Sequence, residues 1–391
     1  MASALLILIY IAFISLGLPD AVLGAGWPAM QSEFGVAYGL AGLVHMITAG
    51  GTIISSMLAG TMLTRFGTGK VTACSVGLTA VALLGFSLSP SFWWLPLAAV
   101  PLGLGAGAVD AGLNAFVAAN YESRHMSWLH CFWGVGALSG PLILSSSLLA
   151  GHTWRFGYLS IAVLQFVLVG VLLATLRLWG MVGSGEEPDE PTNGDSSARS
   201  FLYPLRLKGA KSALVTFLLY CGIESTMGLW GGSFLFKIKG CDPASAARWV
   251  SLFFASITLG RFLTGFVTIR FSNDALIRAG CLTVLVGIAL MLLPLPLPFA
   301  LAGFALIGLG CAPIFPCMLH ETPARFGKSN AQMLMGVQMA VAYVGATFLP
   351  PLFGFLAAST TLAMLPALLL AYAVVMLFAA ERTSVQCQDA N

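Results

Sequence analysis

The sequence predicts an all-α integral membrane protein, with twelve transmembrane helices arranged as two six-helix bundles. Three observations predict it. Of 391 residues, 58% are hydrophobic and only 8% are charged, where a soluble domain carries about 25% charged residues. Apolar runs close to the ~20 residues that a helix needs to cross a bilayer recur twelve times. One polar stretch, 181–208, divides those runs six and six.

The first run covers 4–28; it lacks the basic start of a cleaved leader and continues to Trp27, so it reads as a retained helix. Runs two to six follow at 39–63, 71–89, 93–118, 127–150 and 155–179. Together they define a first bundle, 1–180. The stretch 181–208 sets Glu186, Glu187, Asp189, Glu190 and Asp195 among Pro, Gly and Ser, the composition of a flexible linker. The second bundle, 209–391, holds runs at 211–236, 247–269, 275–294, 297–319, 330–354 and 360–380.

Lys and Arg give the orientation. With the N-terminus inside, thirteen of the eighteen fall on the cytoplasmic side, and Arg155, Lys237, Lys239 and Arg248 fall outside. Cytoplasmic loops carry such an excess, so both termini are expected in the cytoplasm of a cell-membrane protein. The one cation left over, Arg261, lies inside the eighth run. The halves also repeat. Gly60 before Arg65-Phe66 matches Gly265 before Arg270-Phe271, and Gly103-Leu-Gly105 matches Gly308-Leu-Gly310, both 205 residues on. Asp20 and Gly24 match Glu224 and Gly228 at 204. A duplicated six-helix unit is the layout of transporters that bind substrate near the membrane midplane.

Three acids sit within apolar runs: Asp20, Asp110 and Glu224. A carboxylate at mid-helix costs roughly 2.5–3.5 kcal/mol on insertion scales, and one kept there usually faces a hydrated path or binding cavity. They are the candidates for proton coupling. Asp110 and Asn114 share a helix face and suit sugar hydroxyls, or else bridge two helices. Glu224 either pairs with Arg261 to hold the bundle together or takes protons, and a pair that opens on protonation does both. Asp20 reads as lying toward the outer part of helix 1, where snorkelling to the surface is the plain alternative. His130 titrates near neutrality in water but also lies near the cytoplasmic end. Trp27, Trp133 and Trp230 suit the apolar face of a sugar ring, whereas Trp93, Trp94, Trp128, Trp154 and Trp179 fit an interfacial belt. Gln165, Gln338 and Tyr343 are polar groups within apolar runs.

Nothing points to an enzyme. The chain has no HExxH, Walker A, dinucleotide fingerprint or Ser-centred elbow. No metal or cofactor other than the coupling proton is expected. Six of the eight cysteines lie in apolar stretches and none forms a CxxC pair, so they read as packed thiols. No basic cluster suits nucleic acid.

The segment Gly60-Thr-Met-Leu-Thr64-Arg65-Phe66-Gly67-Thr-Gly69-Lys70 resembles the signature between helices 2 and 3 of the major facilitator superfamily, departing at Thr64, where an Asp is usual. Gly105 to Ser123, Met126 to Pro141, Tyr220-Cys-Gly-Ile-Glu224 and Leu259 to Val267 resemble helices 4, 5, 7 and 8 of the fucose–galactose–glucose proton symporters, in particular bacterial glucose/mannose members. The resemblance implies that Asp110 binds substrate and couples, and that His130 and Trp133 line the pocket. The fucose branch carries its helix 1 acid about one turn after Asp20. The expected activity is proton-coupled uptake of a monosaccharide of the hexose class, by alternating access of a single chain in a lipid bilayer. A proton-driven exporter and a non-transporting sensor or scaffold are the alternatives.

Overall fold

A computed structural model describes residues 2–121, 123–182 and 207–388. It is helical: α1 Ala2–Asp20, α2 Val22–Phe34, α3 Leu40–Phe66, α4 Thr68–Ser87, α5 Trp94–Asn120, α6 Ser123–Leu149, α7 Trp154–Ala174, α8 Leu176–Val182, α9 Ala210–Lys237, α10 Pro243–Val267, α11 Asn273–Leu292, α12 Leu297–Phe326, α13 Lys328–Ser359 and α14 Leu365–Gln388. Among the described residues, twelve segments are long and apolar enough to cross a membrane, with α1 and α2 counted as one span, Ala4–Phe34. Most of the expected linker, including all five of its acids, lies outside the described residues.

The first span runs past its expected end at 28 because Pro28 does not stop it. The helix passes through Pro28 to Phe34, as membrane helices do when neighbours take up the freed backbone groups. Asp20 therefore lies roughly midway along Ala4–Phe34, a span of 31 residues. This corrects the outer position read from sequence and weakens the snorkelling alternative. Pro19 sits inside α1 and offers no N–H to the carbonyl of Ser15 one turn back. The Gln165 side-chain amide of α7 donates to that carbonyl instead, at 2.8 Å.

Small residues set how closely the spans pack. A Cβ at Gly17 would sit 2.1 Å from the carbonyl oxygen of Trp133, and one at Gly136 would sit 2.1 Å from that of Ile14. The backbones of α1 and α6 thus touch. The duplication seen in the sequence recurs in these contacts. Gly103 meets the carbonyl of Thr48 and Gly105 that of Ser75; Gly308 meets the carbonyl of Phe253 and Gly310 that of Gly280. All four residues of the second set lie 205 positions after the first.

The described residues form two compact units. The first six spans and Gly231–Ser251 form one, and the rest of spans seven to twelve form the other. The border drawn at 181–208 is thus crossed by the C-terminal end of α9 and the N-terminal end of α10. In the first unit Ser145 donates to the carbonyl of Ala244 at 2.8 Å, and the Lys237 ammonium lies 5.2 Å from the Tyr38 ring centroid. Asp242 caps α10 by accepting from the Ser245 N–H at 2.9 Å, with Pro243 in the first helical position, which suits proline. Hydrogen bonds from the Ser245 side chain and backbone hold the Asp242 carboxyl below the usual carboxylate range.

Two belt assignments are overturned. Trp154 and Trp179 are buried, at 2% and 6% exposure. Trp154 donates to Glu33 at 2.6 Å, and Arg155 pairs with the other oxygen of that carboxylate. Trp179 of α8 lies over Gly69, where a Cβ would come within 2.6 Å of the indole. Gly69 therefore admits an aromatic that any side chain at this position would meet. Gly67 in the same segment adopts φ 81° between α3 and α4, a backbone region that favours glycine. Thr64 donates to the carbonyls of Gly60 and Thr61 within its own helix.

Candidate functional site

In the first unit the close contact of α1 with α6 sets Asp20 beside Trp133. The indole N–H donates to Asp20 Oδ2 at 2.7 Å. Two residues named separately from sequence are thus one hydrogen-bonded pair, at the break between α1 and α2. His130 is exposed one turn before Trp133 and meets the edge of the Phe13 ring, with centroids 6.0 Å apart.

Asp110 and Asn114 meet on α5 as their spacing predicts. Asn114 Nδ2 donates to Asp110 Oδ1 and to the Asp110 carbonyl, each at 2.9 Å. The Asn114 Oδ1 is buried with no protein partner. The amide thereby supports the carboxylate from one turn away on the same helix.

In the second unit Glu224 sits at the middle of α9 and Arg261 reaches it from α10. Their closest atoms are 3.5 Å apart, with side chains 15% and 19% exposed. Tyr220, one turn before Glu224, stands between them. Its hydroxyl donates to Glu224 Oε2 and accepts from Arg261 Nη2 at 3.1 Å. From the sequence alone Tyr220 stands out only as part of the motif Tyr220-Cys-Gly-Ile-Glu224. The i, i+4 spacing to a membrane-embedded acid was the available signal. Removing one partner from such a pair strands the other charge in a poorly hydrated place, whereas neutralising both is far cheaper.

Four expected substrate contacts are corrected. Trp27 and Trp230 are both 0% exposed, so neither ring has a free face for a sugar. Gln165 is 1% exposed and engaged at both ends of its amide: it donates to the Ser15 carbonyl and accepts from Thr79 Oγ1 at 2.5 Å. It repairs the backbone break that Pro19 makes. Gln338 is also 1% exposed and accepts from Thr322 at 3.0 Å. Tyr343 is half-buried on α13. Gln165→Leu should lower stability by about 1–3 kcal/mol, the cost of a buried carbonyl left unpaired, without changing substrate affinity. Thermal unfolding of the purified protein beside a binding isotherm checks both. Lost affinity at unchanged stability would return Gln165 to the binding set.

Among the described residues no group of three or more His, Cys, Asp or Glu is placed to hold a metal ion. The arrangement offers mid-membrane carboxylates with fixed hydrogen-bond partners, one of them opposed by a cation.

The chain is similar to the glucose/mannose transporter GlcP of Bacillus subtilis (strain 168), 29% identical over 317 residues, which is 79% of this chain and 77% of that protein. Its fold is that of the nucleoside transporter NupG (TM-score 0.75, 14% identity, 96% of this chain and 98% of that one). A bacterial homologue of the human lysosomal transporter Spinster matches equally well (TM-score 0.75, 14% identity, 99% and 97%). The family model for the Major Facilitator Superfamily matches residues 9–319. With twelve apolar spans, duplicated helix contacts and acids set within them, this chain is a multi-pass membrane transporter, not an enzyme, and belongs to the Major Facilitator Superfamily.

Proposed function

We propose that this transporter carries a monosaccharide of the hexose class together with a proton, in the cell membrane and with both termini cytoplasmic. The observation that carries the reading is the Glu224–Tyr220–Arg261 cluster inside the span Ala210–Lys237 and its neighbour Pro243–Val267. A charge pair held mid-membrane is a cost unless it is used, and this one changes its net charge when Glu224 takes a proton. The likeness to a glucose/mannose transporter supports the sugar. So does the Asp110–Asn114 pair, whose acceptors match sugar hydroxyls.

In this reading the sugar bonds to Asp110, Asn114 and His130, and Trp133 packs against its ring. A proton from outside neutralises Glu224 or Asp110. With Glu224 neutral, the attraction to Arg261 falls and the helices that carry the pair are released to move. Loss of the proton inside restores the pair and resets the cycle. Sugar drives the change only through a difference in its affinity for the two states. Asp20 is a third protonatable group, tied to the sugar site through Trp133. Protons are the only coupling species required, and one chain suffices.

The test is uptake of radiolabelled glucose, mannose, galactose and fucose into proteoliposomes under an imposed inward proton gradient. Accumulation of at least one sugar that collapses when the gradient is dissipated is expected. Sugar entry indifferent to the gradient removes the proton, and no entry of any of the four removes the sugar.

A further inference from the structure

Tyr220 is buried at 1% exposure, and its ring packs against Phe315 with centroids 5.8 Å apart. Its hydroxyl is therefore fixed in place and shielded from water. A neutral tyrosine hydroxyl has one proton to donate and lone pairs to accept with. Here the proton goes to Glu224 Oε2 and a lone pair receives Arg261 Nη2 at 3.1 Å. The guanidinium is closer to this hydroxyl than to the carboxylate it neutralises, at 3.5 Å. The nearest donor to the acid is thus a neutral group delivered from the same helix, and the cation stands behind it.

We propose that Tyr220 is a positioning residue that sets the proton affinity of Glu224, by donating to its charged form while it holds Arg261 at a distance. The inference rests on the reading that Glu224 exchanges a proton. Hydrogen bonds to a carboxylate favour its ionised form. Without the hydroxyl, Glu224 loses its closest donor. A guanidinium drawn in would make a charge-assisted bond of its own and pull the other way, so the sign of the shift is the readout. With Tyr220 in this role, Tyr220→Phe should let Glu224 keep its proton to higher pH, by about one unit, which is a tenfold change in proton affinity. Placing 3-fluorotyrosine at position 220 keeps the ring and makes the hydroxyl a stronger donor, so the shift should reverse sign.

The experiment is an infrared titration of the full-length protein in liposomes between about pH 4 and pH 9, a window that brackets ordinary and raised carboxyl values. The protonated-carboxyl band is assigned to Glu224 by its loss in Glu224→Gln. The expected result is a midpoint raised in Tyr220→Phe and lowered with 3-fluorotyrosine. Thermal unfolding confirms that each variant is folded, and if Tyr220→Phe fails to fold, the 3-fluorotyrosine protein alone decides. A Glu224 band whose midpoint does not move, or moves the other way, overturns the role of Tyr220 and leaves proton coupling at Glu224 standing. A spectrum with no titrating Glu224 band removes both.

Discussion

Asp110→Asn is expected to abolish pH-driven sugar accumulation and to leave exchange of sugar across the membrane. The substitution keeps the shape of the side chain. It also keeps an oxygen at the place where Asn114 Nδ2 donates, now 2.9 Å away. What it removes is the charge and the proton. An amide mimics a carboxyl that never lets its proton go, so the half-cycle that carries loaded protein back and forth persists. The half-cycle that must release a proton does not. Net uptake into proteoliposomes should fall to the level of empty vesicles, while counterflow of labelled sugar against unlabelled sugar remains measurable. Full accumulation in this variant would strike Asp110 from the coupling residues. Loss of counterflow as well would make it a binding residue alone.

Arg261→Gln is expected to be the most damaging single change in the second unit. Glu224, at only 15% exposure, would lose the cation that opposes it. Breaking such a pair from one side costs about 3–5 kcal/mol, enough to lower yield and thermal stability sharply. Adding Glu224→Gln removes the stranded charge, and most of that stability should return. Coupled uptake should not return, because the paired variant has nothing to protonate there. This split between rescued folding and unrescued transport separates a coupling pair from a merely structural one. Thermal unfolding and gradient-driven uptake, measured on the two single variants and the double, give the full cycle. Recovery of coupled uptake in the double variant would reduce the pair to a scaffold.

The fold was legible because a bilayer leaves few choices. A chain with 8% charge must satisfy its backbone within helices, and run length then counts them. The repeat was legible through glycine, since Gly103 and Gly308 record where two backbones meet. Side-chain direction was not legible. Hydropathy cannot tell an indole at the lipid interface from one turned inward, so Trp154 looked like belt until Glu33 was seen to accept its N–H. Nor does a lone glutamine announce its partner. Gln165 looked like a ligand for sugar, but the carbonyl it serves, 150 residues away in sequence, was freed by a proline on that other helix. The acids themselves were readable because charge in an apolar run stands out. Tyr220 was not, because a tyrosine there reads as one more buried ring until its hydroxyl is seen to join Glu224 and Arg261.

The central claim is that sugar and proton cross together through acids within the membrane spans. Its most direct test is to add a transported sugar to proteoliposomes in weakly buffered medium with no imposed gradient and to follow external pH. The account predicts that the medium turns alkaline as sugar enters, in fixed proportion to it, and that this signal is absent in Glu224→Gln or in Asp110→Asn. Sugar entry with no change in external pH would contradict it.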